Sequence, residues 1–552
     1  MKKFSVILLS LFSILVLVAC KDNALSAKIS IESITPARTS VYLVLKVEDP
    51  KEEITEGTIE AKVYNKDNLM ATAVAKTDDE GVTTIEVTGL SIGYEYKLEI
   101  HVTADKKGYK LAETTFKTST LGASTDNPKL IKTLDDLKAM ETDVTAYYRL
   151  ENDIDFSSAP FLPLFQSVNF QGNFDGNGKS FKNIIINQRS SYTAIFGRNN
   201  GTIKDLNLEN VTVSLVGPNS SSQYVGLLTA RNTGTINNVT ITSGEVILDF
   251  NYVGNVYVGG LTAYNDVNGK ILNSNVTATF NLTAAGRTEF SAGGFAGRMI
   301  ASTITNSTSN LTVNLTNADS AFIGGAVGYV TNSATLKPAI TKSKADLTLN
   351  ATTAVTQTSK VDNKVEVIQV SIGGFVGRAI GSSFNEVYAN SSITLNGASN
   401  QAIEQSSYDT YALGGFAGSL SSSTSVTNAL VKSNLVVGSK VEETINGFDR
   451  LYVGSIAGEA YNTSYDKVLA VDSNIESNSN SLLIALSPLN GNVDKAEVGA
   501  FDLVTVSLNN VDYINQKVVF HSLDNLETFD LTETSRTDYF TSEFINTILN
   551  SL

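Results

Sequence analysis

The sequence predicts an all-β protein: an N-terminal β-sandwich followed by a parallel β-helix. Three observations carry that expectation. The chain of 552 residues is rich in β-branched side chains, with only 18% charged residues and 8 prolines; a disordered polyampholyte has neither property. Apolar and polar residues alternate with period two over short runs bounded by turn residues. From about residue 160 a short glycine-containing phrase returns again and again.

The elements follow in chain order. Lys2 and Lys3 precede an almost unbroken apolar run from Phe4 to Val18, as long as a signal-peptide core and short for a membrane span. The run ends in Leu17-Val18-Ala19-Cys20, which resembles the lipobox of bacterial lipoprotein signal peptides. The resemblance implies cleavage after Ala19, a diacylglyceryl thioether on Cys20, and a membrane partner reached through that lipid. Residues 1–19 would be removed and residues 20–27 would form a polar tether on the extracytoplasmic face of the membrane, at the cell surface. Two or more acyl chains make such an anchor stable. Cys20 is the only cysteine, so once it is lipidated no disulfide, thiol nucleophile or thiolate metal site is expected. The formal net charge is −15, and loss of Lys2 and Lys3 makes the mature chain more acidic still. Such a chain attracts no nucleic acid.

Residues 28–119 read as the sandwich. Ile29–Ile34, Val41–Val47 and Thr58–Tyr64 alternate, with turn signals at Glu56-Gly57, Asp67-Asn68 and Glu80-Gly81. Leu90-Ser-Ile-Gly-Tyr-Glu-Tyr96 ahead of an alternating strand resembles the E–F corner of fibronectin type III domains. That resemblance assigns Tyr96 as a corner tyrosine bonding back to nearby backbone; the Trp usual in strand B is missing. Thr114–Thr118 would close the module, which implies a spacer. Residues 120–132 read as a linker. Thr133-Leu-Asp-Asp136 is a capping signal for a short helix presenting Leu134, Leu137 and Met140, placed to cover the first rung of a solenoid spanning residues 133–522. Residues 523–552 are more helical in pattern and are expected to cap the last rung. The N-terminal lipid is the only anchor the sequence offers.

The repeat aligns on small residues at Gly197, Ala230, Ala263, Gly297, Gly328, Gly377, Gly418 and Gly458. Its phrases include Val258-Gly-Gly-Leu-Thr-Ala263, Ala292-Gly-Gly-Phe-Ala-Gly297, Ile372-Gly-Gly-Phe-Val-Gly377 and the degenerate Val453-Gly-Ser-Ile-Ala-Gly458. A polar turn and a strand such as Gly201-Thr-Ile-Lys-Asp-Leu-Asn-Leu208 follow. One unit cannot bury its apolar side alone, whereas stacked units form a continuous narrow core. Glycine then permits a sharp corner and close approach between rungs, and turn asparagines can ladder from rung to rung. The longest insertion, near residues 352–365, is expected to protrude. The phrase, with its lead-in Phe170-Gln-Gly-Asn-Phe-Asp-Gly-Asn-Gly178, resembles the GLUG motif of bacterial surface proteins. That motif is found beside the catalytic region of immunoglobulin A1-specific zinc metallopeptidases and in adhesin-like proteins. The resemblance covers roughly residues 128–545; it implies architecture and leaves activity open.

Chemistry is sparse. A zinc peptidase needs His-Glu-x-x-His, and the two histidines, His101 and His521, lie in no such motif. No nucleophile elbow is present. No cofactor and no metal are expected. Glu151, Asp153, Asp155 and Asp175 are the carboxylates a β-helical glycosidase or lyase would need, yet spacing places no Lys or Arg beside them. Glu151, Asp153 and Asp155 fit a solvated strand face opposite Leu150, Ile154 and Phe156, and Asp175-Gly-Asn-Gly178 fits a tight hairpin-type turn. Arg198, Arg231, Arg298 and Arg378 each follow the aligned small residue. They read as a solvated turn position or as a docking stripe for an anionic glycan, interrupted by Tyr264, Tyr329, Ser419 and Glu459. The leading expectation is a non-enzymatic, lipid-anchored surface protein that presents a β-helical surface to an extracellular protein or glycan ligand. A carbohydrate-active or glycan-binding protein on the same frame is the alternative, and a structural envelope role is a third.

Overall fold

The computed structural model describes residues 25–518 except 79–81, 158–159, 218–221, 252–253, 286–287, 319, 354–368, 397–409, 439–449, 471–472, 478–482, 488–489, 495–496, 499–500, 504–505 and 510–516. The signal, Ala19, Cys20 and most of the tether therefore lie outside the described residues. So do His521, the C-terminal cap at 523–552 and nearly all of the 352–365 insertion. The chain divides into two compact units, Met1–Lys129 and Leu130–Leu552.

The first unit holds two four-stranded antiparallel sheets. One runs Lys28–Pro36, Ser40–Glu48, Thr83–Thr88, Lys76–Thr77; the other runs Asn68–Val74, Glu60–Asn65, Glu95–Ala104, Lys107–Lys117. Alternation explains the pairing of faces: Val41, Leu43 and Leu45 from one sheet and Val63, Leu98 and Ile100 from the other share one buried core. Tyr96 is buried, and its hydroxyl accepts a hydrogen bond from the Ser91 backbone N–H at 2.8 Å. The E–F resemblance leads one to expect a contact of that kind.

The second unit is a parallel β-helix. Each rung enters on one strand, turns a two-residue corner into an exit strand, crosses a polar turn and continues on a long strand. The exit strands form a nine-stranded parallel sheet: Phe196–Asn199, Thr229–Asn232, Thr262–Asn265, Ala296–Ile300, Val327–Thr331, Val376–Ile380, Ala417–Ser421, Ala457–Tyr461 and Asn490–Asp494. Rungs are numbered below by these strands. The entry strands, from Tyr192–Thr193 to Lys517–Val518, form a ten-stranded sheet, and strands such as Thr202–Val216 and Thr235–Asn251 form the long sheet. The corner ends on the residue two places after the first phrase glycine. Leu228, Leu261, Phe295, Ala326, Phe375, Phe416 and Ile456 are fully buried there. The corner continues the ladder as well: Phe295 N–H donates to Ala326 O at 2.8 Å and Phe375 N–H to Phe416 O at 2.8 Å. Phe375 and Phe416 stack with centroids 5.3 Å apart.

None of the corner glycines adopts a left-handed backbone; close approach is what requires them. A Cβ on Gly325 would meet the Gly374 carbonyl oxygen, one on Gly374 that of Gly415, and one on Gly415 that of Ser455. Left-handed backbone is placed instead in the long sheet, at Asp205, Asn238, Asn273, Asn306, Lys342, Glu386 and Asn428, with φ between 49° and 55°. These residues occupy one register position in successive rungs. A left-handed residue bends each long strand, and Asn and Asp tolerate it best. The expected ladders are present: Asn306 Nδ2 donates to Asn273 Oδ1, and Asn273 Nδ2 to Asn237 Oδ1, each at 2.8 Å.

The helix Leu134–Lys138 carries the expected capping box between Thr133 and Asp136, and Leu137 and Met140 are fully buried. Lys129–Ile131, read from sequence as the end of the linker, is a short strand instead. Ile131 is buried and its carbonyl accepts from Glu151 N–H. Asp175-Gly-Asn-Gly178 is a turn, with Asn177 and Gly178 left-handed, but it closes no hairpin. The strands on either side, Asn173–Asp175 and Ser180–Ile186, both pair in parallel with Thr202–Val216 in the next rung.

Candidate binding stripe

The exit strand lies directly on the backbone of the entry strand. A Cβ on Gly297 would stand 2.5 Å from Val258 N, and one on Gly328 2.5 Å from Ala292 N. Gly377, Gly418 and Gly458 meet entry-strand backbone in the same way, whereas Gly197 meets the Leu164 and Phe165 carbonyls. Ala230 and Ala263 take the equivalent place in rungs 2 and 3, fully buried. This approach brings the next exit residue beside the entry residue that stands two places before the first phrase glycine.

Two columns result. The exit column reads Arg198, Arg231, Tyr264, Arg298, Tyr329, Arg378, Ser419, Glu459 in register. The entry column reads Tyr192, Tyr224, Tyr257, Ser291, Phe322, Ser371, Ala412, Tyr452. The arginines are therefore strand residues, and the solvated-turn reading is corrected: all four are partly buried, and Arg198, Arg298 and Arg378 lie against aromatic rings. The residues that seemed to interrupt the ladder belong to it. From rung 2 to rung 6 the exit column alternates Arg231, Tyr264, Arg298, Tyr329, Arg378, and rungs 4 and 6 pair their arginine with a small entry residue, Ser291 or Ser371.

The contacts explain the alternation. The Arg298 guanidinium lies 5.0 Å from the Tyr329 ring centroid, 5.6 Å from Tyr257 and 5.7 Å from Tyr264, and its Nη1 donates to the Tyr257 hydroxyl at 3.0 Å. Arg378 lies 5.6 Å from Phe322 and 5.8 Å from Tyr329, and its Nη1 donates to Gln369 Oε1 at 2.6 Å. Arg198 lies 4.3 Å from Tyr192. Cations between aromatic faces gain about 0.5–2 kcal/mol each, and spacing them by a ring separates like charges. Arg231 differs, since Asp266 neutralises it through Nε at 2.9 Å and Nη2 at 2.5 Å. Burial pushes the Tyr264 hydroxyl up to about 12 despite the Arg298 charge. Burial also raises the Glu289 carboxyl, with Arg298 and Arg378 pulling the other way. Among the described residues, the Nε atoms of Arg198, Arg298 and Arg378 and the hydroxyls of Ser291 and Ser371 are buried without a hydrogen-bond partner.

The four candidate carboxylates do not converge on a site. Lys132 holds Glu151 at 2.8 Å, Lys182 holds Asp153 at 2.8 Å, and Asn183 Nδ2 donates to Asp155 at 3.1 Å. Asp175 lies between Arg149 at 3.3 Å and Lys204 at 3.4 Å. Basic partners are thus present, contrary to the sequence reading; they sit one rung away and are invisible to local spacing. Arg149, Asp175 and Lys204 share one register position, and Asp155, Lys182 and Glu209 another. These opposite-sign ladders fasten rungs together. The hydrogen bond from Lys182 lowers the Asp153 carboxyl, and that from Ser157 N–H lowers Asp155, the wrong direction for a general acid. As expected, Leu150, Ile154 and Phe156 are buried on the opposite side, although residues 151–153 interrupt the strand. His101 sits in a sandwich strand, its Nε2 2.9 Å from Glu99. Among the described residues no group of three or more His, Cys, Asp or Glu is placed to hold a metal ion.

Sequence reasoning missed the entry column and Glu289. Its signal was available, because the residue two places before the first phrase glycine is Tyr257, Ser291, Phe322 or Ser371 in successive phrases.

No family model matches the sequence, and no curated protein matches it. Among solved structures, the family 28 exopolygalacturonase of Yersinia enterocolitica matches at 9% identity and a TM-score of 0.16, over 88% of this chain and 98% of that chain. A likeness at that score carries no argument about this chain.

Proposed function

We propose that this chain is a lipid-anchored protein of the extracytoplasmic face, fixed through Cys20, whose β-helix presents the arginine–aromatic stripe as a ligand-binding surface without catalysing a reaction. In this reading the first unit is a fibronectin type III-like spacer and the second a GLUG-type solenoid. The observation that carries it is the stripe itself. Guanidinium and aromatic groups recur in register over rungs 1 to 6, on a stiff frame whose core is continuous. Aromatic and arginine side chains are the groups that dominate binding energetics at protein surfaces. The catalytic alternative needs converging carboxylates with raised pKa, and the four candidates are paired and, where shifted, lowered.

The test has two arms. Radiolabelled palmitate should label the wild-type chain and leave Cys20→Ser unlabelled and released from membranes. An array of extracellular-matrix proteins and glycans, probed with the full chain in detergent, should give saturable binding to one ligand class, weakened at least about tenfold (1.4 kcal/mol) by glutamine at Arg198, Arg298 and Arg378. Binding that survives those substitutions would move the ligand site off the stripe, and labelling of Cys20→Ser would remove the anchor.

A further inference from the structure

We infer that the stripe is a site for an unsulfated acidic glycan lying along the helix axis, with one carboxylate for every two sugars, seated on Arg298 and Arg378. This deepens the display reading above and rests on it.

The argument starts from periodicity. Adjacent rungs are about 4.8 Å apart, so residues two rungs apart in one column are separated by about 9.6 Å. Arg298 and Arg378 stand at that separation, with Tyr329 between them and Tyr264 before them. A linear ligand that follows the column meets charge, ring, charge, ring. An extended β-linked glycan has the same alternation when every second sugar is a uronic acid, and one disaccharide spans a comparable length. The neutral sugar's C–H face would stack on Tyr264 or Tyr329 while its neighbour's carboxylate meets a guanidinium. An extended peptide repeats its side chains on one face every ~6.8 Å, which falls out of step with charges about 9.6 Å apart.

The free chemistry of the two arginines fits an acceptor from outside. Each spends Nη1 on a neighbour, Tyr257 or Gln369. Among the described residues, Nη2 of each has no partner and is not among the sealed atoms. Nε is sealed against the protein in both, so a carboxylate reaches the guanidinium through its Nη edge. Arg231 is excluded because Asp266 already occupies its fork. Rungs 7 and 8 end the run with Ser419 and Glu459, which sets the length of the site at a few sugars. The acidity of the rest of the chain does not prevent binding, since screening confines its repulsion to about 8 Å at physiological ionic strength. Glu289 is an acid that both arginines act on, and burial raises its carboxyl against their pull.

The experiment measures retention and calorimetric affinity of the full chain in detergent for hyaluronan oligosaccharides. Parallel arms use uncharged N-acetylglucosamine oligosaccharides, heparin and duplex DNA. Hyaluronan should bind, the uncharged oligosaccharide at least about tenfold more weakly, and heparin and DNA no better than hyaluronan. Arg298→Gln with Arg378→Gln should lower hyaluronan affinity about a hundredfold. Arg298→Lys with Arg378→Lys keeps the charge and the stacked stem while losing the fork, and should lower it about tenfold; this pair protects the test if the glutamine variant is unstable. Equal affinity for the uncharged oligosaccharide, tighter binding of heparin or DNA, or unchanged affinity in both arginine variants would each overturn the proposal. A protein ligand in the array that depends on the same arginines, with no hyaluronan binding, would overturn it while leaving the display reading standing.

Discussion

At the scale of single residues, Gly374 and Gly415 are required because a Cβ on either would meet the carbonyl oxygen of the next rung. The phrase glycines were readable as necessary, but the reason was only half readable. Close approach could be foreseen from a stacked repeat; that the corner would use no left-handed backbone, and that Asp205, Asn238, Asn273 and Asn306 would carry that conformation, could not. Ion pairs one rung apart were invisible because their partners are distant in the chain. Glu99, inside the sandwich, is set by partners on its own strand and on the next one. It is buried, and burial pushes its carboxyl up, yet hydrogen bonds from Lys97 and His101 and the charge of Lys110 outweigh that and bring it down to about 2. A carboxyl lowered from its ordinary 4.5 stabilises the fold fully above the ordinary value and loses that contribution as pH falls through about 2. Acidification from pH 6 to pH 2 should therefore weaken the sandwich by up to about 3 kcal/mol through this residue. In Glu99→Gln most of that pH dependence should vanish. Hydrogen exchange in Glu95–Ala104 at several pH values checks it, and an unchanged pH profile in the variant would refute the assignment.

At the scale of elements, the corner, the polar turn and the helix cap behave as their sequences suggest, while the hairpin expected at Asp175–Gly178 does not form. The difference is physical. A turn sequence specifies local backbone, and whether its flanking strands pair with each other or with the next rung is decided by tertiary burial. The polar turn shows what a good local reading can deliver. Asn199, Asn232 and Asn265 end the exit strands of rungs 1 to 3 and are fully buried beneath the turn, where Asn199 Nδ2 donates to Asn232 Oδ1 and Asn232 Nδ2 to Asn265 Oδ1, each at 2.8 Å. A three-member buried ladder is costly to break in the middle, because both neighbours lose a partner they cannot replace with water. Asn232→Leu should destabilise the β-helix by about 3 kcal/mol. Asn314→Leu, in an exposed ladder where Asn314 Nδ2 donates to Asn281 Oδ1 at 2.8 Å, should cost less than about 1 kcal/mol. Urea unfolding of the two variants measures the difference, and equal losses would show that burial of the ladder contributes nothing.

At the scale of the whole molecule, the repeat made the architecture readable. A phrase recurring over most of the chain can be satisfied only by stacking, and the three parallel sheets are that stack. The function-bearing stripe was half readable, since the exit column was seen as a broken ladder; its entry-column partners and its period of two rungs exist only once the rungs are in register. The same one-dimensional construction makes a strong claim about how damage spreads. Each rung contacts chiefly its two neighbours, so stability is a sum of rung and interface terms. Gly374 tests this well. It turns the corner of rung 6, and a Cβ there would meet the Gly415 carbonyl oxygen of rung 7 and the Ser391 side chain. Gly374→Ala should cost about 3 kcal/mol at the interface of rungs 6 and 7. In a globular core that loss would be shared by every amide. In this solenoid, hydrogen-exchange protection should fall in the strands Val376–Ile380 and Ala417–Ser421 and remain near wild type in Phe196–Asn199 and Thr229–Asn232, some four rungs away. The sandwich strands should be unaffected. A uniform loss of protection from rung 1 to rung 8 would mean that the β-helix unfolds as one cooperative body. Ligand affinity falls in either case, because Arg378 stands in the rung that carries the lesion, so protection at rungs 1 and 2 is the signature that separates a graded loss from a cooperative one.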